Sequence, residues 1–220
     1  MAAILLKLGG FGILKFILPL LPFASLYFTP LIETISCIGF FYCSMCALRQ
    51  IDIKKIIAYS SVVHMNLVLF SLFSFNLKGL IGSVLLMISH GLTSAGIFFC
   101  LGSLYERFLT RNIFFIKNTV TYMPIFTGSL FFLVLSNTGF PGTVNYISEF
   151  LCIAGIFLMY KSLNLVFIFL GLVINTYYNF LFYNRISYGS GIALKQNSGH
   201  LNKCQDVTKR ESFILIFLNF

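Results

Sequence analysis

Four ionisable side chains stand where the sequence is otherwise apolar: Lys7, His64, His90 and Glu149. Such groups are costly in a bilayer and commonly mark ion pathways or proton relays. Each also has a plainer reading. Lys7 lies one turn into an apolar run, in LLKLGGFG, where a lysine can send its amine to the interface along its aliphatic stem. Gly9, Gly10 and Gly12 beside it permit close helix packing, which would turn the amine toward protein. Desolvation then disfavours the charged form and makes the amine a group that gains and loses a proton. Lys15 is eight residues on, roughly 80° around a helix, and need not share that face. His64 follows Ser60 and Ser61, four and three residues before it, so a hydroxyl can contact the imidazole. His90 sits in LLMISHGLTSAG among Ser89, Thr93 and Ser94. Either histidine could be a hydrogen-bonded core residue. Two in neighbouring helices suit a proton relay, since imidazole titrates near pH ~6.5. Glu149 is the sharpest signal and is counted as the one acid within an apolar segment, eight residues beyond Pro141. Gly139, Pro141 and Gly142 break the helix there. The break frees backbone carbonyls that lipid cannot satisfy, so it must face protein or a hydrated cavity. Broken helices at mid-membrane are where transporters place ion sites.

The elements that hold these residues are set by composition. The chain of 220 residues is 58% hydrophobic and 10% charged, against about 25% charged in ordinary domains, and its mean hydropathy is +0.93. A soluble domain could not hide that much apolar surface, and disorder is excluded for the same reason. The net charge of +9 is no nucleic-acid signature, because the Lys and Arg sit in short connectors rather than in a dense basic run; no nucleic acid is expected. Five of the six cysteines lie inside apolar runs, and the Cys43/Cys46 pair ends a hydrophobic helix. They read as buried, inert thiols. His200 and Cys204 are four apart in a polar loop, too few ligands for a metal site. The first 24 residues have no basic leader region, and Lys7 and Lys15 interrupt their apolar core, so a retained first helix is expected rather than a cleaved signal.

The sequence predicts an all-α polytopic transmembrane helix bundle. The predicted segments are 2–21, 31–48, 56–75, 80–104, 122–160, 163–183 and a partial 212–220, with a polar loop at 187–211. The fifth segment has 39 residues, roughly 58 Å as one helix. It is either two spans or one span broken around 137–143. Charge decides. With one broken span, Arg49, Lys54, Lys55, Arg107, Arg111, Lys117, Arg185, Lys195, Lys203, Lys209 and Arg210 share one side against Lys78 and Lys161, 11 to 2. With two spans the ratio is 7 to 6. Positive-side bias favours the broken span.

The blocks LLKLGGFGILK, LRQIDIKKIIAYSSVVHMN, LLMISHGLTSAGIFFCLGSLYERFLTR and SNTGFPGTVNYISEFL, in that order, resemble the subunit 4 family of mitochondrial NADH dehydrogenase, complex I. That family lies in the antiporter-like class, with bacterial sodium/proton antiporter subunits. The resemblance runs from residue 2 to 188 and weakly to 220. It implies fourteen helices in two inverted five-helix repeats, of which this chain carries the eighth to the thirteenth, the twelfth being broken. The family's lysine, two histidines and acid fall on Lys7, His64, His90 and Glu149, along a mid-membrane axis that passes protons. The implied setting is the mitochondrial inner membrane, with the basic loops and 187–211 facing the matrix. The implied partners are the other membrane-arm subunits and lipids such as cardiolipin. The family has about seven further helices, with a glutamate–lysine pair, before the matched region. The chain thus resembles the C-terminal half of a split subunit whose N-terminal half is a separate polypeptide, a truncated gene being the alternative. No cofactor is expected, as there is no flavin or nicotinamide motif and no cysteine set with iron–sulfur spacing. The rival readings are a subunit of a multi-subunit sodium/proton antiporter and a structural membrane subunit that does not pump.

Overall fold

The computed structural model describes residues 4–159, 163–189 and 206–219, with backbone alone for 159, 163–165 and 216–219. Lys161, His200, Cys204 and most of the 187–211 loop lie outside the described residues.

Every named element among the described residues is a helix. Helix α1 (Leu5–Gly12) runs through a π-helical turn (Ile13–Ile17) into α2 (Leu18–Leu20). Helix α3 (Pro22–Arg49) follows at once. It starts earlier than the predicted residue 31, for two local reasons. Pro22 takes the first helical turn, where a missing N–H costs nothing. Pro30, inside the helix, cannot donate to the Leu26 carbonyl, and the Thr29 hydroxyl does so instead at 2.8 Å. Then come α4 (Ile53–Leu72), α5 (Leu77–Phe108), the short α6 (Thr119–Tyr122), α7 (Pro124–Asn137), α8 (Val144–Met159), α9 (Leu163–Ser187) and α10 (Lys209–Asn219). Helices α3, α4, α5 and α9 are long and apolar enough to cross a bilayer.

Helices α7 and α8 have 14 and 16 residues, roughly 21 and 24 Å, and neither alone spans a ~30 Å hydrocarbon layer. Together they cross once. At one end Phe126 of α7 lies 6.0 Å from the Arg107 guanidinium in the last turn of α5. At the other end Gly155 of α8 meets Gly79 in the first turn of α5, so closely that a Cβ on Gly155 would fall 2.5 Å from the Gly79 Cα. Asn76, just before α5, donates its side-chain N–H to the Gly155 carbonyl at 2.9 Å. The pair is one broken crossing antiparallel to α5, as the distribution of positive charge predicts. Between the halves, Gly139 and Gly142 take φ of 68° and 103°, where a side chain would be strained.

The segment ahead of α10 is anchored at the same end as Arg107. Asp206 accepts from the Ile125 and Phe126 N–H groups at 3.1 and 3.2 Å, capping the open first turn of α7. Glu211 meets Arg107 at 2.8 Å. Burial pushes the Glu211 carboxyl up, but the Thr208 N–H and the Arg107 guanidinium outweigh it and hold the group below the usual carboxylate range.

Apolar packing forms two clusters. One gathers Ile53, Ile57, Ile97, Leu104, Met123 and Leu130 toward the Arg107 end. The other gathers Phe40, Leu67, Leu86, Cys152 and Ile156 toward the Gly79 end. Between them the helices turn polar at buried positions: Ser60 and His64 on α4, His90 and Ser94 on α5, Asn137 on α7, Glu149 on α8 and Asn175 on α9. The outer surface is the reverse, with large apolar side chains such as Phe23, Ile38 and Phe132 exposed, as suits lipid or neighbouring apolar helices.

Candidate functional site

The polar layer brings together all four ionisable residues singled out from the sequence, each from a different helix. Lys7 of α1 is buried and points into the bundle, its Nζ donating to Ser94 Oγ on α5 at 3.4 Å. One turn back on α5, His90 is fully buried and lies within electrostatic reach of Lys7. Its ring centroid is 4.5 Å from that of His64 on α4, with the planes at 35°. His64 Nδ1 in turn lies 3.3 Å from Glu149 Oε1 on α8. The order across the bundle is Lys7, His90, His64, Glu149. Neither nitrogen of either histidine, nor Glu149 Oε1, is held in a well-formed hydrogen bond among the described residues. The His64–Glu149 contact has the distance of an ion pair and is one when His64 is protonated. Lys15, by contrast, is exposed on the π-helical turn.

Two expectations need correction. The hydroxyls near His64 do not bond its ring: Ser60 and Ser61 donate to the Ile57 and Ala58 carbonyls at 2.8 and 2.7 Å. A serine in a helix finds the carbonyl one turn back nearer than a neighbouring side chain. At the break several backbone groups are paired locally. Gly139 N–H donates to Ser136 O, Phe140 N–H to Leu135 O and Thr143 N–H to Phe140 O, all between 3.1 and 3.2 Å, while Asn145 Nδ2 donates to Ser136 O at 2.9 Å. The Glu149 carboxylate folds back over this turn, so that a Cβ on Gly139 would fall 2.5 Å from Oε2. Finally, Glu149 is not the one buried acid. Glu33 lies inside the second apolar segment, on α3, and is 3% exposed. Its position in an apolar run is the same signal that marks Glu149, and the sequence reading passes it over.

A neutral polar branch also escapes the sequence reading. Asn137, the last residue of α7, donates its Nδ2 to Asn179 Oδ1 on α9 at 3.0 Å. Asn179 Nδ2 donates to the backbone carbonyl and side-chain oxygen of Asn175 at 2.9 and 3.3 Å, and the Tyr178 hydroxyl donates to that same Asn175 Oδ1. Two asparagines four residues apart in an apolar helix are the signal that could have found it. The described cysteines 37, 43, 46, 100 and 152 are unbridged. No group of three metal-ligating side chains occurs among the described residues.

An arrangement of amine, hydroxyl, two imidazoles and carboxylate in one line can pass a proton. The charges on it are coupled. Two imidazolium charges 4.5 Å apart would repel by about 4 kcal/mol at an effective dielectric of ~20.

Comparison with known proteins bears on this geometry. The family model described as NADH:quinone oxidoreductase/Mrp antiporter, TM, matches residues 1–175. The NADH-ubiquinone oxidoreductase chain 4 of Chondrus crispus is 46% identical over 216 residues, covering 98% of this chain and 43% of that protein. The chain 4 of Marchantia polymorpha is 46% identical over 220 residues, covering 100% and 43%. This chain thus spans less than half the length of these curated relatives. Among solved structures, respiratory complex I from Thermus thermophilus with bound NADH contains a chain of the same fold. Its TM-score is 0.85 at 23% identity, over 96% of this chain and 43% of that one.

Proposed function

Because this chain belongs to the NADH:quinone oxidoreductase/Mrp antiporter transmembrane family, we propose that it is a proton-translocating part of complex I. In this reading it is the C-terminal half of subunit 4, in the mitochondrial inner membrane. The observation that carries the reading is the gathering of Lys7, His90, His64 and Glu149 from four helices between two apolar clusters. The sodium/proton antiporter reading is weaker, because the 46% identical relatives are NADH-ubiquinone oxidoreductase chains.

The roles follow from the geometry. Lys7 receives or releases a proton at one end, with Ser94 as its hydroxyl contact. A proton on His90 moves to His64, breaking one N–H and forming another, and from His64 to Glu149 across 3.3 Å. A protonated Lys7 disfavours a second positive charge on His90. Loading the amine therefore drives the proton toward Glu149. Glu149 lies over the break, where the two half-helices can shift without breaking a continuous backbone ladder. No redox group is assigned to this chain. Electron transfer belongs to other subunits of the proposed complex, and its energy reaches this site through packing and charge. Other membrane-arm subunits, lipids such as cardiolipin and a separate chain with the N-terminal half complete the proposed setting.

The test is Glu149→Gln, which keeps volume and removes titration. The complex should assemble, since a neutral amide costs less to bury than a charge. NADH-driven proton pumping into membrane vesicles, read with a pH-sensitive dye, should fall at least tenfold per assembled complex, and Glu149→Asp should keep part of it. Pumping at the wild-type rate in a fully assembled Glu149→Gln complex sinks the reading.

A further inference from the structure

One amide nitrogen stands where three helices meet beside the relay. Asn145 lies in the first turn of α8 and is buried. Its Nδ2 donates to the Ser136 carbonyl in the last turn of α7 at 2.9 Å and to Thr93 Oγ1 on α5 at 3.4 Å. The Thr93 hydroxyl gives its own proton to the His90 carbonyl at 3.3 Å, so it can only accept from Asn145. Both hydrogens of the amide are thus used, whereas its oxygen is buried and accepts no hydrogen bond among the described residues. The nitrogen is the end of this amide that the fold employs. The same two helices pair again farther along. Ser148 Oγ lies 3.3 Å from Ser89 Oγ, and Gly155 meets Gly79 where no Cβ would fit. The pairs 93–145, 89–148 and 79–155 run in opposite senses along α5 and α8 and set one register. His90 and Glu149 each stand next to the 89–148 pair. The Gly79 end of α8 is held by backbone contact. Its other end abuts the break, and among the described residues the side-chain hydrogen bonds from that first turn to α7 and α5 are those of Asn145.

We infer that Asn145 is a positioning residue for proton transfer. Its amide nitrogen fastens the two halves of the broken crossing to each other and to the His90 turn of α5, and so holds Glu149 in its place beside His64. Asn145 and Glu149 are four residues apart and share one face of α8, so a shift of that first turn carries the carboxylate with it. His64 Nδ1 and Glu149 Oε1 are 3.3 Å apart, and a displacement of about 1 Å at such a distance can cost on the order of 100-fold in rate. The amide carries no proton itself, because it does not titrate. It acts through α8, which without it could slide at the break while its Gly79 end stays fixed.

The inference rests on the proton-transfer reading of His64 and Glu149. The experiment measures NADH-driven proton pumping per assembled complex, in water and in heavy water, for Asn145→Leu, Thr93→Val and Thr93→Ser. Asn145→Leu keeps the branched shape and removes both bonds. It should lower pumping at least tenfold and raise the ratio of the rates in the two solvents, because proton transfer over a longer gap becomes the slow step. Thr93→Val removes only the tie to α5 and should lower pumping severalfold, and Thr93→Ser, which keeps the hydroxyl, should recover most of it. A residue that merely packs α8 would lower thermal stability and leave both the rate per complex and the solvent ratio in place. Wild-type pumping and solvent ratio in an assembled Asn145→Leu complex overturn the inference, and if that variant does not assemble, the same values in Thr93→Val do so. Glu149→Gln in the same preparation separates the two levels. If it pumps normally the relay reading fails, whereas if it blocks pumping and the Asn145 and Thr93 variants keep the wild-type values, only the role of Asn145 fails.

Discussion

At the scale of single residues, Gly139 shows how backbone and chemistry share one position. Its φ of 68° is left-handed, and its missing Cβ leaves the space that Glu149 Oε2 occupies. Gly139→Ala should therefore act twice. The left-handed conformation costs an alanine about 1–2 kcal/mol, and the carboxylate must leave its place beside His64. A lowered melting temperature together with a severalfold loss of pumping is the expected outcome. Gly142→Ala, where φ is 103° but no side chain closes in, should lower stability with a smaller loss of pumping. Equal pumping losses in the two variants would show that the carboxylate position is immaterial. The contrast between what is legible in the sequence and what is not lies at this scale too. Lys7, His64, His90 and Glu149 stand out because a titratable group in an apolar run is costly to keep, and the cost points to a use. Asn137, Asn175 and Asn179 do not, because a neutral amide is cheaper to bury than a charge and needs only a hydrogen-bond partner. The four-residue spacing of Asn175 and Asn179 hints at their pairing, but the bond to Asn137 at 3.0 Å joins two helices, which no spacing within one helix reveals.

At the scale of elements, the broken span is legible through charge rather than through length. A run of 39 apolar residues suggests two helices, and two helices do form, but they cross once. The Arg107–Phe126 and Gly79–Gly155 contacts at opposite ends of α5 require it. Local propensity could not have given this, because Pro and Gly serve equally well in a hairpin and in a break. What resolves it is a property of the whole set of connectors. The same topology has a further consequence for the segment that Asp206 and Glu211 pin beside Arg107. Cys204, two residues before Asp206, should lie on the Arg107 side, which is the matrix side in the proposed setting. A membrane-impermeant thiol reagent should leave it unmodified in intact mitoplasts and label it after the membrane is opened. Labelling in intact mitoplasts would place the segment on the other face and undo the single crossing. The start of α3 is the opposite case. Two prolines argue for a late start, yet one sits at the first turn and the other has its orphan carbonyl taken by Thr29, a compensation visible only with the side chains in place.

At the scale of the whole molecule, the polar axis runs to the edge of the bundle and Lys7 sits at that edge. Helix α1 packs inward through Gly10, against Met87 and Val68, whereas Gly9 and Gly12 have open space where a Cβ would stand. Leu5, Leu8 and Phe11 on the outward side are exposed. A face that is apolar and also stripped of side chains at two positions allows a backbone to approach closely, which a lipid tail does not need. The chain spans 43% of its curated relatives' length, so more than half of each relative lies outside the matched region. We expect a separate hydrophobic chain of several helices to lie along α1, with its own polar groups continuing the line that Lys7 begins. A photo-crosslinking side chain in place of Phe11, activated in the assembled complex, should yield a protein adduct of defined mass. The same probe in place of Ile38 on α3, exposed on another face, serves as the comparison. If position 11 captures only lipid in a complex that pumps, then no helix covers α1, and the proton that reaches Lys7 must come from water along the lipid boundary rather than from a neighbouring half-channel.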